Sequence, residues 1–417
     1  LVPEISGSIV NVDMAMKNGF LWKKGPFEML DDLGPSWFAA KVSEEGLKVP
    51  HLLEKVGEDK FYKVQGKDVL YFSTGFNYAK IVKPEGYLTA SDVKRGQDPK
   101  FRNPSASLWD MGDDILLIEF HSKMNSMDPL IMEAITEAVE LCEKGNFQGV
   151  VIGNDGTNFS AGANLGLSTF VANVGAWDEA EKFVFGGQVA FMMLKHGNFP
   201  VVGAPSGLAI GGGCEVLLAC DSIQAHSESY IGLVEVGVGL VPAWGGCKEM
   251  ITRWAEDEDE PKGPMATVTK IFENVGTAKV ATSAQDARSF KFLRNNDRIT
   301  MNRSRLLSDA KRFCLELVND YEAPEQKSHY LAGESGKVTL DLAVSDLVKA
   351  GHATPHDVTV TSHLSYILTG GDTDPTQSVS DEDILRMEKE GIMSLMKTEE
   401  TMERIEHMLS TGKPLRN

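Results

Sequence analysis

Basic residues are in short supply: 41 Lys and Arg stand against 60 Asp and Glu, for a formal net charge of −19. That balance argues against nucleic acid and against anionic membrane surfaces, both of which need a basic face. It leaves room for an anionic small molecule, because a few backbone N–H groups cradle phosphate or an oxyanion locally. Cysteine is scarce too. The five (Cys142, Cys214, Cys220, Cys247, Cys314) are odd in number and lack CxxC spacing. They read as reduced, mostly buried thiols in a reducing compartment, and a cytoplasmic setting is expected. The nine histidines are scattered with no HExxH or Cys/His cluster, which argues against zinc. No secretory leader is visible, and glycines, prolines and Glu215 break the longest apolar run, so no membrane span is expected. Internal repeats and low-complexity tracts are missing as well.

What is present is a chain of 417 residues, too long for one ordinary core, and two domains or three are expected. Its first residue is Leu1, in what reads as mid-helix, as expected of part of a longer polypeptide. One stretch, Phe199–Gly246, is nearly free of charge and rich in glycine, yet it carries Glu215 and Glu235 inside apolar runs. A carboxylate is rarely buried without a partner, since losing its hydration costs several kcal/mol or raises its pKa. These two acids therefore ask for a chemical reason.

Along the chain, Ile5, Ile9, Val12, Ala15 and Met16 follow helical spacing, and a second helix begins at Phe27 and ends near Gly34. The segment 1–95 reads as a mainly helical domain with a short extended tail. Residues 84–107 are polar with several Pro and Gly, which predicts a linker placed at 96–107. From Leu108 onward strands and helices alternate. Ile115–Phe120, Gly149–Gly153 and Val201–Ala204 read as strands, while Pro129–Lys144 and Asp178–Lys195 read as helices, which is an α/β pattern. Ser222–His226 and Tyr230–Leu233 read as a hairpin that returns Glu235 to the helix bearing Glu215. The acidic run Glu256–Pro264 reads as a solvated loop. From about residue 294 the chain is a mostly helical tail, with a capping-box start at Ser380 and Asp383 and a methionine series suited to core or interface packing.

Gly211-Gly212-Gly213 opens the helix of Glu215, so backbone N–H groups and the positive helix end face whatever lies before it. Alone, the triplet is as compatible with a tight turn of no chemical use. Phe159–Leu165 (FSAGANL) is a second glycine-containing loop after a strand and offers another amide. Two such donors can hold a thioester oxygen as it becomes an enolate, at about 3–4 kcal/mol per donor. The two glutamates lie 20 positions apart (235 − 215). If they converge, they can hold a water, one accepting a proton while the other donates. The alternative is that one or both pair with an arginine or a backbone amide.

Four motifs carry a resemblance: Pro200–Asp221 (PVVGAPSGLAIGGGCEVLLACD), Ile231–Gly246 (IGLVEVGVGLVPAWGG), FSAGANL and Ser283–Leu293 (SAQDARSFKFL). Together they resemble the crotonase, or enoyl-CoA hydratase, superfamily, in that family's order. The resemblance implies a crotonase-like β-β-α spiral with a helical C-terminal region, over 108–417. It implies an oxyanion hole at the amides of Ala163 and Gly212, catalytic acids at Glu215 and Glu235, and a CoA path past Ser160, Ala161, Gly162 and Asn164. Val12–Gly34 resembles the C-terminal helical domain of 3-hydroxyacyl-CoA dehydrogenases, by its "GF…GPFE…D..G" pattern. Together they imply part of a dehydrogenase/hydratase fusion protein of β-oxidation.

On that resemblance the expected activity is trans-2-enoyl-CoA hydration. A Δ3,Δ2-enoyl-CoA isomerase and a non-catalytic acyl-CoA-binding or assembly module are the alternatives. No cofactor is expected in this chain: CoA arrives as part of the acyl-CoA thioester, and NAD belongs to the missing dehydrogenase part, since no GxGxxG follows a strand here. Expected partners are copies of the chain or a β-oxidation complex with a thiolase. Two departures stand out. Asn164 replaces an aspartate common after AGA, and Ala243-Trp244 replaces Gly-Ala of the common PGAGG, which bears on pocket shape.

Overall fold

The computed structural model describes residues 2–417, which form two compact units. The first runs to Tyr87 and includes Arg95–Gln97; the second comprises Leu88–Lys94 and Asp98–Asn417.

The first unit holds α1 (Ile9–Phe20), α2 (Pro26–Leu33), α3 (Pro35–Glu44) and α4 (His51–Val56). It is not only helical. β1 (Tyr62–Gln65), β2 (Asp68–Phe72) and β3 (Tyr78–Lys80) form an antiparallel meander where an extended tail was expected. Ile5 precedes α1 and is exposed, so the apolar face begins at Ile9. Asp13 explains the Gly25-Pro26-Phe27-Glu28 sequence. Its carboxylate accepts from the amides of Phe27 (2.8 Å) and Glu28 (3.1 Å) and from the Tyr62 hydroxyl (2.8 Å). A Cβ at Gly25 would sit 2.2 Å from that of Asp13. Ile9, Leu52, Leu53, Val56, Phe61 and Phe72 make the core.

In the second unit, α5 (Ala90–Lys94) leads to β4 (Phe101–Arg102) and β5 (Ala106–Asp110). The expected linker at 96–107 is therefore partly sheet. Its polar residues are used locally: the Asn103 side chain accepts from the amides of Ser105 (3.0 Å) and Ala106 (2.9 Å) and turns the chain between the strands. Next come β6 (Ile115–Phe120), α6 (Pro129–Glu143), β7 (Gly149–Ile152), α7 (Leu165–Val174), α8 (Trp177–Lys195), β8 (Val201–Gly203), β9 (Gly207–Ile210) and α9 (Gly212–Ala219). They are followed by β10 (Ser222–His226), β11 (Ser229–Gly232), a 3-10 turn at Glu235–Val238, α10 (Gly246–Glu256), α11 (Pro264–Gly276), α12 (Ala284–Ser289), β12 (Arg298–Thr300) and α13 (Leu306–Val318).

The main sheet has the order β12-β10-β8-β7-β6-β5-β4, parallel from β12 to β6 and antiparallel beyond. It is covered on both faces, which is why Ile115–Ile118 of β6 reads as an unbroken apolar run. Leu116 and Ile118 face the core built with α6, α8 and α9, while Ile115 and Leu117 face α13. β9 and β11 leave this sheet and pair with each other as a two-stranded parallel ladder. The expected hairpin at 222–233 is thus corrected. β10 pairs with β8 and β12 while β11 pairs with β9, so the chain turns a corner between sheets at Ser227-Glu228.

β13 (Ser328–Tyr330), α14 (Gly333–Lys349), α15 (Pro355–Thr369), β14 (Ser378–Ser380), α16 (Asp381–Leu395) and α17 (Glu399–Thr411) complete the tail. Capping boxes at Thr354/Asp357 and Ser380/Asp383 start α15 and α16. Ile384, Met387, Leu395, Met396 and Ile405 join the main core, so the methionine series packs internally. Among the described residues, no helix is long and apolar enough to cross a membrane, and no group of three or more His, Cys, Asp or Glu is arranged to hold a metal ion.

Candidate active site

Two short β-to-helix turns build the site. β9 is followed by Gly211, whose φ of 55° and close neighbour require glycine: a Cβ there would lie 3.2 Å from Glu235 Oε1. α9 then starts at Gly212, and Glu215 lies in its first turn. β11 ends at Gly232, and Glu235 opens the 3-10 turn that follows. The ladder aligns Ile210 with Gly232, and the Gly211 amide donates to the Gly232 carbonyl (2.9 Å). The two acids come from neighbouring strands of one ladder.

The loop 160–164 is stitched to both of its neighbours. The Ser160 amide donates to Leu208 O (3.0 Å) and the Ile210 amide to Ser160 O (3.1 Å). On the other side, the Met127 amide donates to Gly162 O (2.8 Å) and the Asn164 amide to Met127 O (2.9 Å). Gly162 has φ +85°, and a Cβ on it would be 2.8 Å from Ile210 O and 3.2 Å from Gly212 N. A Cβ on Gly212 would be 3.6 Å from Ala163 N. The amides of Ala163 and Gly212 therefore stand side by side, and neither donates to another group among the described residues.

A cavity of about 400 Å³ joins these parts. Ala161, Gly162, Ala163, Gly211, Gly212, Glu215 and Glu235 line it together with Trp244 and apolar side chains from α7, α8 and α16. Ser160 and Asn164 were expected beside the CoA path, but their side chains do not line the cavity. Ser160 Oγ donates to Asn125 O (2.7 Å) and accepts from the Gly162 amide (3.2 Å), while Asn164 caps α7 through the Leu167 amide (3.3 Å). Both are committed to shaping the loop.

The two glutamates differ. Glu215 Oε1 accepts from the amides of Trp244 (2.7 Å) and Gly246 (3.0 Å). Burial pushes its carboxyl up to about 7, against the pull of the amides at 244, 246 and 243. Glu235 is half-buried as a residue, yet both its carboxylate oxygens are cut off from solvent and have no hydrogen-bond partner. Burial, and then the charge of Glu215, push it well above the usual carboxylate range. Among the described residues, no arginine or lysine is one of the main influences on either carboxyl. Amide pairing, the bland alternative, thus holds Glu215 at hydrogen-bond distance, whereas the amides that act on the Glu235 carboxyl, those of Val234 and of Glu235 itself, stand outside hydrogen-bond geometry. The arrangement suits one acid that ionises first and one that keeps its proton.

Trp244 is the wall of the cavity. Its ring meets Phe183 and Phe191 edge-on at 5.3 and 5.7 Å, and a Cβ at Gly212 or Gly187 would fall within 2.4 Å of it. Two residues of the surroundings went unread in the sequence. Gln188 on α8 donates to the carbonyls of Ala243 (2.8 Å) and Leu385 (2.7 Å). Glu388 on α16 is fully buried and accepts from the amides of Gly245 (2.7 Å) and Lys248 (2.9 Å). The signal for Glu388 was available: an acid within the apolar stripe Ile384, Met387, Gly391, Leu395.

Residues 110–256 match the family model described as enoyl-CoA hydratase/isomerase. This stretch is a crotonase-family domain. A Bacillus subtilis protein named "Probable 3-hydroxyacyl-CoA dehydrogenase" is 36% identical over 422 aligned positions, covering 100% of this chain and 53% of that protein. A crotonyl-CoA hydratase of Syntrophomonas wolfei is 36% identical over 101 residues, 24% of this chain and 37% of its own length. Among solved structures, an enoyl-CoA hydratase from Bacillus halodurans matches the fold with a TM-score of 0.50 at 16% identity, over 72% of this chain and 99% of that one. The chain spans about half the length of the curated relatives that it matches along nearly its whole extent. The crotonase domain here carries the helical C-terminal region beyond the matched stretch.

Proposed function

We propose that the crotonase domain hydrates trans-2-enoyl-CoA thioesters. One observation carries this reading: Glu235, with no partner for its carboxyl, and amide-held Glu215 line the same cavity as two undonated amides. In the proposed reaction the amides of Ala163 and Gly212 hold the thioester oxygen as negative charge develops on it. Glu215, the more easily ionised acid, takes a proton from water as the water oxygen bonds to the β-carbon. Glu235, which keeps its proton, gives it to the α-carbon. The C=C bond becomes C–C, and the product is a 3-hydroxyacyl-CoA. CoA enters with the substrate along the 160–164 loop, whose backbone and not its Ser160 or Asn164 side chains would meet it.

The first unit is read as the C-terminal type of 3-hydroxyacyl-CoA dehydrogenase domain, in a fusion protein of fatty acid β-oxidation. The similarity to a protein named as such a dehydrogenase supports this. NAD would then belong to the dehydrogenase part and not to these residues. Assembly with further copies or with a thiolase, and a cytoplasmic setting, belong to the same proposal.

The test is loss of the conjugated enoyl-thioester absorbance of crotonyl-CoA and of a longer trans-2-enoyl-CoA. Wild type should consume at least one of them, and Glu215→Gln should be slower by about 100-fold or more. No turnover at any chain length would sink the hydratase reading in favour of a binding module. Turnover of a 3-enoyl-CoA without hydration would favour the isomerase. Adding NAD to the 3-hydroxy product should yield no NADH with this chain.

A further inference from the structure

Six residues, Ala243–Lys248, run from the cavity wall into the start of α10, and two buried carboxylates divide the amides of this turn. Glu215 takes those of Trp244 and Gly246; Glu388 takes those of Gly245 and Lys248. Gly245 occupies the cap position of α10 with φ 97° and has no side chain to cap it. Glu388 therefore caps α10 from another helix, with one oxygen on the cap residue and the other on the third residue of the helix. A carboxylate at a helix start is also favoured by the helix dipole. Gln188 ties the same turn to α16 by bonding the Ala243 and Leu385 carbonyls.

We infer that Glu388 is a positioning residue for the hydration reaction: it fixes the turn 243–248 that holds Glu215 against the cavity. This rests on the hydratase reading. Glu388 lies in α16, beyond the family stretch that ends at residue 256. A tail helix thus completes the support of an acid that the domain itself supplies. The turn is rigid only if both sets of amides are held, because an unheld Gly245 peptide is free to rotate and would swing the Trp244 and Gly246 amides off Glu215.

Glu388 also acts through its charge, but only toward alkaline pH, because burial and then the charge of Glu215 push its own carboxyl up to about 8. The groups around it are Glu215 from α9, Glu235 from the 3-10 turn, Cys247 and Lys248 from α10, Glu249 paired with Lys248, and Asp381 on its own helix. Its negative form opposes ionisation of Glu235 and so helps that acid keep its proton.

The test compares Glu388→Gln, Glu388→Asp and Gln188→Leu with wild type in crotonyl-CoA hydration across pH. Glu388→Gln keeps the length and removes the charge. It should lower kcat about 10- to 100-fold with KM within about threefold, and move the alkaline limb of log(kcat/KM) to lower pH. Glu388→Asp keeps the charge and withdraws it by one methylene, so kcat should fall while the alkaline limb stays. A folded Glu388→Gln with wild-type kcat, or with lower kcat and lower Tm but an unmoved limb, overturns the inference. If neither Glu388 variant folds, Gln188→Leu decides, since it cuts the second tie of this turn to α16, the bonds to the Ala243 and Leu385 carbonyls, without touching a charge. Lower kcat at unchanged KM supports the inference, and wild-type kcat overturns it. A wild-type protein that hydrates nothing removes the hydratase reading itself, before any variant is compared, and the inference with it.

Discussion

Replacing Glu235 by Gln separates chemistry from stability more sharply than any other change in this molecule. Its two carboxylate oxygens are buried without a donor, beside a second carboxyl. As the proton donor to the α-carbon it should supply about 10²–10⁴ in rate, so the variant should lose about 3–5 kcal/mol of barrier lowering. Stability should move the other way. An amide without partners costs about 1–3 kcal/mol, whereas an unpaired buried ion costs several. The sign with pH follows from the folded carboxyl being raised above its ordinary value of 4.5. Its contribution to stability is fully present below that value and is lost as pH rises through the folded value. The glutamine variant has no such loss. Its Tm should match wild type near about pH 5 and exceed it by about 2 °C or more near about pH 8. The assays are enoyl-thioester absorbance and thermal melts at both pH values. Hydration kept within about threefold of wild type, well short of the expected loss, would refute the proton-donor role. A lower Tm at the higher pH would refute the account of an unpartnered buried acid.

Trp244→Ala should cost about 3–5 kcal/mol of stability by emptying the space between Phe183, Phe191 and the α9 start. It should also shift relative kcat/KM toward longer or branched enoyl chains, read from a chain-length series. Ser380→Ala removes the cap that accepts from the Asp383 amide at 3.1 Å and should cost about 1 kcal/mol in denaturant unfolding. All five cysteines are buried. Native protein should leave a thiol reagent such as DTNB essentially unreacted, and unfolded protein should react with all five.

That the candidate residues would come together at one cavity was largely legible because the constraints on them are local. Gly162 and Gly211 stand where a Cβ would strike Ile210 O or Glu235 Oε1, and each acid lies a few residues beyond a strand end. Pairing partners were less legible. Ser222–His226 and Ser229–Gly232 are separated by a turn-like dipeptide, and nothing in their composition says that each pairs with a different sheet. The segment before Leu108 misled because Asn103 makes the turn between β4 and β5 look like linker. Glu388 was legible in principle, by the same reasoning that picked out Glu215. It lies 173 positions from Glu215 (388 − 215), and only tertiary packing brings them to one turn.

The parallel ladder of β9 and β11 has a bearing on how this sequence can drift. The interval of chain between the acids is not what sets their separation in space; the pairing of Gly207–Ile210 with Ser229–Gly232 is. Residues inserted at the Ser227-Glu228 corner would lengthen the interval and leave both acids lining the one cavity. A one-step slip of the ladder would carry the turn that bears one acid about 3.3 Å along the strand direction, roughly the size of the water proposed to lie between them. Relatives should therefore vary freely in the count between these two positions and hardly at all in the four rungs behind them.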